Sequence, residues 1–127
     1  MIPRYRAWDG GSLCRMYSPE EVMVGNGDIW IIDEDDVAGE WIVNNDLDLM
    51  QSTGLTDKHG KEIFEGDVVK MAKNVYSEPT NYEIVRHRGG AYRLESKQYG
   101  CELWIRHTDC EIAGNIYENP ELLEVEQ

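Results

Sequence analysis

Short stretches in the N-terminal part of the chain have the pattern of strands, and turn residues separate them. Residues 4–8 (RYRAW) alternate polar and apolar side chains, which is the period of a half-buried strand. Asp9-Gly10-Gly11 predicts a turn, after which a strand through residues 13–17 completes a hairpin. Two strands rich in aromatic and β-branched residues follow, at residues 29–32 (IWII) and 41–43 (WIV).

The strand pattern continues through the second half of the chain. Further strands are predicted at residues 68–71, 82–88, 91–95, 99–105 and 111–116. Gly89-Gly90 separates the second and third of these, and this dipeptide suits the positive φ angles of a tight hairpin turn. Several short strands with turn signals between them favour a small barrel or sandwich over a βαβ arrangement.

Two short helices are predicted. Ser18-Pro19 has the form of a helix start, with a serine N-cap and a proline at the first helical position, and Gly25-Asn26-Gly27 ends that helix within about two turns. Asn119-Pro120 begins a second brief helical turn near the C-terminus. The chain is therefore predicted to be a β-rich α+β protein, and its 127 residues suit one domain.

Residues 49–69 contain glycines at three changes of direction with short apolar runs between them. Gly54, Gly60 and Gly66 are expected where a side chain would strain the backbone. Asp57 and Asp67 are interpreted as turn residues whose carboxylates accept nearby backbone N–H groups. We expect residues 57–60 to form a tight turn with Gly60 at positive φ. The predicted core contributors are Leu55, Ile63, Phe64 and Val68.

Composition and charge narrow the class of protein. Apolar residues make up 41% of the chain and charged residues 29%, as in a globular protein, and the longest apolar run has four residues, far below the roughly 20 of a membrane span. No secretory signal is recognisable, so a cytoplasmic location is predicted. Cys14, Cys101 and Cys110 contain no CxxC pair and are interpreted as reduced structural thiols. The net charge of -13 argues against a general nucleic-acid binder.

A local concentration of acids gives the first candidate binding surface. Seven acids and no lysine or arginine lie between residues 33 and 48. One interpretation is a solvated loop between two strands, and the other is an acidic contact face. The residues of that face would be Trp30, Asp33, Glu34, Asp35, Asp36 and Trp41. Trp8 and Trp104, like Trp30 and Trp41, are expected in the core, with one or two of the four at an interface.

A local concentration of basic residues gives the second candidate. Arg86, Arg88 and Arg93 surround the Gly89-Gly90 turn with Tyr92 nearby, and basic residues interleaved with aromatics can bind single-stranded nucleic acid. The arginines can instead point to solvent and pair with acids, and the overall charge favours this second interpretation.

No catalytic or metal-binding motif is present in the sequence. His59, His87 and His107 are isolated from one another, and neither a GxSxG elbow nor a phosphate-binding glycine loop occurs. With 25 acids some carboxylates must approach one another, so a small enzyme with a site shared between subunits stays a third hypothesis. We predict no catalytic residue, no metal site and no cofactor, and favour a non-enzymatic protein.

Several separated motifs resemble the YopX family of small phage and prophage proteins. They are residues 4–9 (RYRAWD), residues 49–69 with TGL, DK, GKEI and EGDVV, and residues 114–123 (GNIYENPELL). The resemblance implies an SH3-like β-barrel portion at about residues 49–127, preceded by an N-terminal lobe of short strands and a short helix at about residues 1–48. It also implies a phage origin, expression in a bacterial host and homo-oligomers, and it implies no activity.

The leading hypothesis is a phage or prophage accessory protein that binds a host or phage protein through its acidic face. One variant of this hypothesis is mimicry of nucleic-acid charge. The alternative is a nucleic-acid-binding accessory factor in phage replication or recombination that uses the basic hairpin. We expect no interaction with membranes.

Overall fold

The protein is described by a computed structural model that covers residues 4–11, 14–32, 38–72, 74–97 and 99–124. These residues form twelve strands in three sheets, and every pairing is antiparallel. The prediction of a β-rich chain with little helix is confirmed. No helix in the described ranges is long and apolar enough to cross a membrane.

The strands are β1 Tyr5–Asp9, β2 Arg15–Tyr17, β3 Val22–Gly25, β4 Asp28–Ile32, β5 Trp41–Val43, β6 Asp48–Thr56, β7 Glu62–Phe64, β8 Asp67–Met71, β9 Thr80–Arg86, β10 Tyr92–Glu95, β11 Gly100–Glu102 and β12 Glu111–Asn115. The α-helices are α1 Leu103–Arg106 and α2 Glu121–Glu124. The chain divides into two compact units, Met1–Gln51 (unit 1) and Ser52–Gln127 (unit 2), and β6 contributes residues to both.

Unit 1 packs two small sheets around one apolar cluster. Strand β1 pairs with β2 and with the start of β6, and β4 pairs with β3 and β5. The buried members of the cluster are Ala7, Tyr17, Val22, Ile31 and Leu47, with Tyr5, Ile29 and Leu49 packed against them. Val22 of β3 and Ile31 of β4 therefore mark the side of this sheet that faces the core. Their burial removes apolar surface from water, which stabilises the fold.

Unit 2 contains a five-stranded sheet in the order β11-β10-β9-β8-β12, and β7 pairs with the later residues of β6. Its inner side supplies most of a second core. The fully or almost fully buried members are Ile63, Val69, Met71, Tyr82, Ile84, Leu94, Leu103 and Cys110. Helix α2 lies against β9, where the Nδ2 of Asn81 donates a hydrogen bond of 2.8 Å to the carbonyl of Leu122.

The structure corrects two of the predicted elements. The helix expected after Ser18 is a single 3-10 turn at Pro19–Glu21, and the chain continues as β3. The Glu21 carboxylate accepts the backbone N–H of Ser18 at 2.9 Å, so the helix-start signal fixes one turn only. The strand expected over residues 99–105 ends at Glu102 and becomes α1, in which Leu103 enters the core.

None of the four tryptophans is fully buried, so the expectation of tryptophans in the core is wrong, although exposure of one or two of them is expected from the sequence. Trp8 and Trp30 are partly buried, Trp41 is 37% exposed and Trp104 is 67% exposed. Helix α1 is a single turn in which Leu103 is buried and its neighbour Trp104 is exposed to solvent. The buried positions hold smaller aliphatic side chains and tyrosines instead.

Asp57 organises the turn between β6 and β7. Its Oδ1 accepts the backbone N–H groups of His59 and Lys61, both at 2.9 Å, and its Oδ2 accepts that of Ile112 in β12 at 3.0 Å. Burial raises the pKa of this carboxyl, but the three backbone donors and the nearby His59 outweigh burial and hold the pKa below its ordinary value. The buried Asp67 similarly accepts the backbone N–H of Phe64 at 2.8 Å.

Gly60 closes the same turn in the left-handed conformation, with φ at 81°. A Cβ atom built there meets nothing within 4 Å, so a larger residue would suffer backbone strain without a steric clash. We expect Gly60→Val to lower the free energy of unfolding by about 1–3 kcal/mol. Gly60→Asn is the matched control and should cost clearly less, because asparagine tolerates positive φ. Equal denaturant midpoints for the wild type and the valine variant would contradict this account.

The three cysteines are free and differ in exposure. Cys14 is exposed, Cys101 is partly buried and Cys110 is buried, where burial raises the pKa of its thiol to about 12. Burial also raises the pKa of Cys101. The thiolate is the reactive form of a cysteine, so the three thiols of the folded protein should differ sharply in reactivity.

With a thiol reagent at pH 8, we expect Cys14 to react first and Cys110 to react at least about 100-fold more slowly, until denaturant is added. Cys14→Ser should remove the fast phase. A fast phase that survives this substitution would show that one of the other two thiols is accessible.

Candidate functional site

The outward side of the three-stranded sheet β3-β4-β5 is the candidate site. The register places Met23 opposite Trp30 and Trp30 opposite Val43, so these side chains form a row across three strands. Ile32 and Trp41 are also opposite each other and, two residues along each strand, lie on the same side. We call these five side chains, Met23, Trp30, Ile32, Trp41 and Val43, the sheet face.

The sheet face is apolar and open to solvent. Met23 is 47% exposed, Val43 is 43% exposed and Trp41 is 37% exposed, whereas Trp30 and Ile32 are partly buried. An antiparallel sheet with one side on a core ordinarily presents polar residues on its other side. Large apolar side chains clustered on that outer side mark a surface that contacts another molecule.

Trp30 lies at the centre of the sheet face, on the middle strand. Its Nε1 donates a long hydrogen bond of 3.4 Å to the carbonyl of Gly25, which restricts the indole. The neighbouring residues Ile29 and Ile31 point the other way, into the core of unit 1. The sheet is therefore held from its inner side, while its outer side is exposed to solvent in part.

The structure brings together two of the residues predicted for the acidic face. Trp30 and Trp41 both belong to the sheet face. Asp33, Glu34, Asp35 and Asp36 lie outside the described residues. Sequence reasoning missed Met23, Ile32 and Val43, although the unbroken run IWII carried a signal, since such a run predicts a strand with apolar side chains on both sides.

The surroundings of the sheet face are acidic by sequence. Residues 1–51 contain three arginines and eleven acids, and no lysine or arginine occurs between Arg15 and Lys58. Arg15 binds Glu21 at 2.7 Å and Arg4 lies 3.7 Å from Glu20. Strands β3, β4 and β5 and the segments that join them thus carry acids and no cation.

The structure does not bring the residues of the basic hairpin together on one side. Strands β9 and β10 form the predicted hairpin, although the connecting loop includes a 3-10 turn at Arg88–Gly90. Tyr92 is opposite Arg86 and packs against the core of unit 2, whereas Arg93 is opposite Val85 on the other side of the sheet. Arg86 and Arg88 are exposed.

Arg93 is already held by two carboxylates. Its Nε donates to Glu95 at 3.0 Å and its Nη1 donates to Glu102 at 2.8 Å. These interactions, with Glu95 first, raise the pKa of Arg93, and the bond to Arg93 lowers the pKa of Glu95 against the effect of burial. Nearby, burial and then the charge of Glu95 raise the pKa of Glu83. The positive charge of Arg93 is therefore largely compensated within the protein.

The described part of the chain offers no arrangement of side chains that is a candidate for a metal site or a catalytic site. Within it, no three histidine, cysteine, aspartate or glutamate side chains are grouped so as to hold a metal ion. His107 is bound through Nδ1 to the carbonyl oxygen of Thr56 at 2.7 Å, and His59 lies 3.7 Å from Glu111. These histidines contribute to the scaffold around the Asp57 turn.

Unit 2 exposes a second set of large apolar residues that sequence reasoning also missed. They are Val75, Tyr76, Trp104 and Ile105. Arg106 ties α1 to the segment that precedes Val75, because its Nη2 donates to the carbonyl of Ala72 at 2.8 Å. Trp104 and Ile105 lie in α1, and Val75 and Tyr76 lie in no strand, so these four side chains do not share one side of a sheet.

The fold and the site together define a small acidic β-rich protein whose three-stranded sheet leaves an apolar face open. The chain belongs to the YopX protein family, which matches residues 4–124. A search of curated protein sequences found no match.

Two solved structures are similar to this one over almost their whole lengths. Protein EF1440 from Enterococcus faecalis is 29% identical, with a TM-score of 0.63 over 97% of this chain and 99% of that one. Protein yopX from Bacillus subtilis is 21% identical, with a TM-score of 0.65 over 94% of this chain and 97% of that one. The second likeness shows the fold alone.

Proposed function

We propose that this chain is a phage or prophage accessory protein that binds a host or phage protein through the sheet face. The observation that carries the proposal is the exposure of Met23, Trp41 and Val43 beside Trp30 on one side of a sheet that is anchored from its other side. Tryptophan is enriched among the residues that contribute most to protein association. The role is non-enzymatic, because these side chains offer contact area and no reactive group.

The charge of unit 1 indicates the chemistry of the partner. A partner with an apolar centre and basic residues around it would match the apolar sheet face and the acidic sequence of unit 1, which includes Asp33, Glu34, Asp35 and Asp36. A second copy of this chain is a less favourable occupant, because each copy carries a net charge of -13. We therefore propose a basic protein surface as the occupant, and self-association is an outcome that the experiment must detect.

Affinity capture from a bacterial host lysate tests this proposal. Three baits are compared: the wild type, a sheet-face variant with Met23→Ser, Trp41→Ser and Val43→Ser, and a control variant with Val75→Ser and Trp104→Ser. The control variant removes apolar groups of unit 2 that are even more exposed. We expect a basic protein to bind the wild type and the control variant but not the sheet-face variant. The captured protein, once purified, should bind the wild type directly and less tightly as salt rises.

Two results would contradict the proposal. One is the same set of captured proteins with all three baits. The other is that the wild-type bait captures further copies of this chain, and that these copies are the only protein that the sheet-face variant fails to capture. The sheet face would then be a homo-oligomer interface. Circular dichroism of each variant shows that folding is retained.

Nucleic-acid binding through Arg86, Arg88, Tyr92 and Arg93 has weaker support, because these residues are divided between two sides of a sheet and Arg93 is paired with two acids. A fluorescence titration with single-stranded oligonucleotides at low salt should show no binding. Binding that Arg86→Ala with Arg88→Ala abolishes would restore this alternative.

We further propose that unit 2 corresponds to the SH3-like barrel portion. Support comes from its seven strand segments, its wholly antiparallel pairing and the single core that Ile63 of β7 shares with the five-stranded sheet. This assignment carries no activity with it, since folds of this kind host many functions.

A further inference from the structure

Strand β5 ends its sheet. The strand order is β3-β4-β5, and no strand in the described part of the chain pairs with β5 on the side away from β4. An unpaired strand edge presents backbone donors and acceptors to which another extended chain can bind. Proteins usually block such an edge with lysine, proline or a covering segment, and Trp41-Ile42-Val43 has neither lysine nor proline.

The hydrogen bonds of β5 indicate which groups point to the open edge. The N–H of Asn44, immediately after β5, donates to the carbonyl of Ile29 in β4 at 2.8 Å. In an antiparallel pair the residues alternate between those bonded to the neighbour and those that point away. Ile42 is therefore bonded to β4, and the backbone N–H and C=O groups of Trp41 and Val43 point to the open edge.

In one row across the inner side of the sheet, the side chains of β3 and β4 are buried but that of β5 is not. Val22, Ile31 and Ile42 form one row on the inner side of the sheet, and the first two are buried while Ile42 is 43% exposed. On the outer side Trp41 and Val43 are exposed as well. Thus apolar side chains are partly exposed on both sides of β5, and one additional strand at the edge would cover them on both.

We propose, resting on the proposed function above, that the partner contributes an extended basic segment that binds to β5 as an added strand. Its backbone bonds to Trp41 and Val43, and its apolar side chains cover Ile42 on one side and continue the sheet face on the other. Its lysines or arginines match the charge of unit 1, since residues 16–51 contain ten acids and no lysine or arginine.

The probe is a synthetic peptide of about ten residues, the upper range of strand length, with consecutive valines at its centre and lysines at both ends, so that valines lie on both sides of the added strand. Hydrogen exchange followed by NMR is the readout. On addition of the peptide, exchange of the amides of Trp41 and Val43 should slow at least tenfold, whereas that of Ile42, already bonded to β4, should change little. The same peptide with N-methyl groups on alternate residues should bind at least tenfold more weakly, because it lacks half of its backbone donors.

Ile42→Ser provides a second discrimination, since Ile42 does not belong to the sheet face. Strand addition predicts that this variant binds the peptide about fivefold more weakly and that the control Val75→Ser binds as the wild type does. If the peptide perturbs the indole signals of Trp30 and Trp41 without protecting the amides, and N-methylation has no effect, strand addition is wrong while the proposed function stands.

Absence of any peptide binding also overturns strand addition, and lysate capture with the sheet-face variant then decides the proposed function separately. Protection of the Trp41 and Val43 amides that grows with protein concentration in the absence of peptide would assign the edge to a second copy of the chain and would likewise overturn the proposal.

Discussion

Asp57→Ala is expected to lower the free energy of unfolding by about 3 kcal/mol, because it removes the acceptor of three backbone N–H groups. Two of these donors lie in the turn and the third lies in β12, so the carboxylate joins segments that are distant in the sequence. Each buried donor left without a partner costs about 1–3 kcal/mol, and water that enters the truncated site recovers part of that cost. This loss would be a large share of the stability of an ordinary domain.

Two control variants separate this role from a general effect of charge. Asp109→Ala also removes an aspartate, but Asp109 is an exposed partner of Arg106 at 2.9 Å, so we expect a loss below about 1 kcal/mol. Asp57→Asn retains one acceptor and places an NH2 group toward one of the donors, which should give an intermediate loss. Urea unfolding of the four proteins measures the series. Equal losses for Asp57→Ala and Asp109→Ala would contradict the role assigned to Asp57.

The depressed pKa of Asp57 adds a dependence on pH. In the unfolded chain this carboxyl binds a proton near its ordinary pKa of about 4, whereas the folded protein keeps it ionised to lower pH. Its contribution to stability is therefore fully present above pH 4 and is lost as the pH falls through the folded pKa. The difference in stability between the wild type and Asp57→Asn should accordingly shrink below about pH 4. A constant difference across that window would contradict the assignment.

Trp41→Ser is expected to weaken binding of the purified partner about 30-fold, which corresponds to about 2 kcal/mol, the loss at which an interface residue counts as a hot spot. Trp41 belongs to an edge strand and packs on the sheet face, so little of its area serves the core. Trp104→Ser is the matched control, because it removes the same exposed side chain from unit 2, and it should change the affinity less than about threefold. A titration followed by calorimetry measures both. A larger loss of affinity for Trp104→Ser would indicate that the partner binds to unit 2 instead.

Local turn chemistry could be predicted from the sequence because it depends on residues a few positions apart. The interactions of Asp57 with His59 and Lys61 and the positive φ of Gly60 belong to this class. The contact between Asp57 and Ile112 does not, since it depends on how β12 approaches the turn. The sequence motif thus predicted the shape of the turn but not the part of its stability that comes from tertiary structure.

The candidate site was less accessible to sequence reasoning. The sequence predicts Trp30 and Trp41 as candidate contact residues, yet the row from Met23 through Trp30 to Val43 depends on the register in which strands β3, β4 and β5 pair. Trp104 was misplaced because its burial depends on a change from strand to helix at Leu103. That Tyr92 and Arg93 lie on opposite sides of the sheet could be predicted from the sequence, since adjacent residues of a strand point to opposite sides.

Site-specific photo-crosslinking in bacterial cells tests the central claim, that the sheet face binds another protein, without removing its apolar character. Met23, exposed at the edge of the sheet face, is replaced by p-benzoylphenylalanine, and Val75 in unit 2 is replaced in the same way as the control. The account predicts that illumination attaches a basic protein to position 23 and leaves position 75 without that product. No product at position 23, or the same products at both positions, would contradict it.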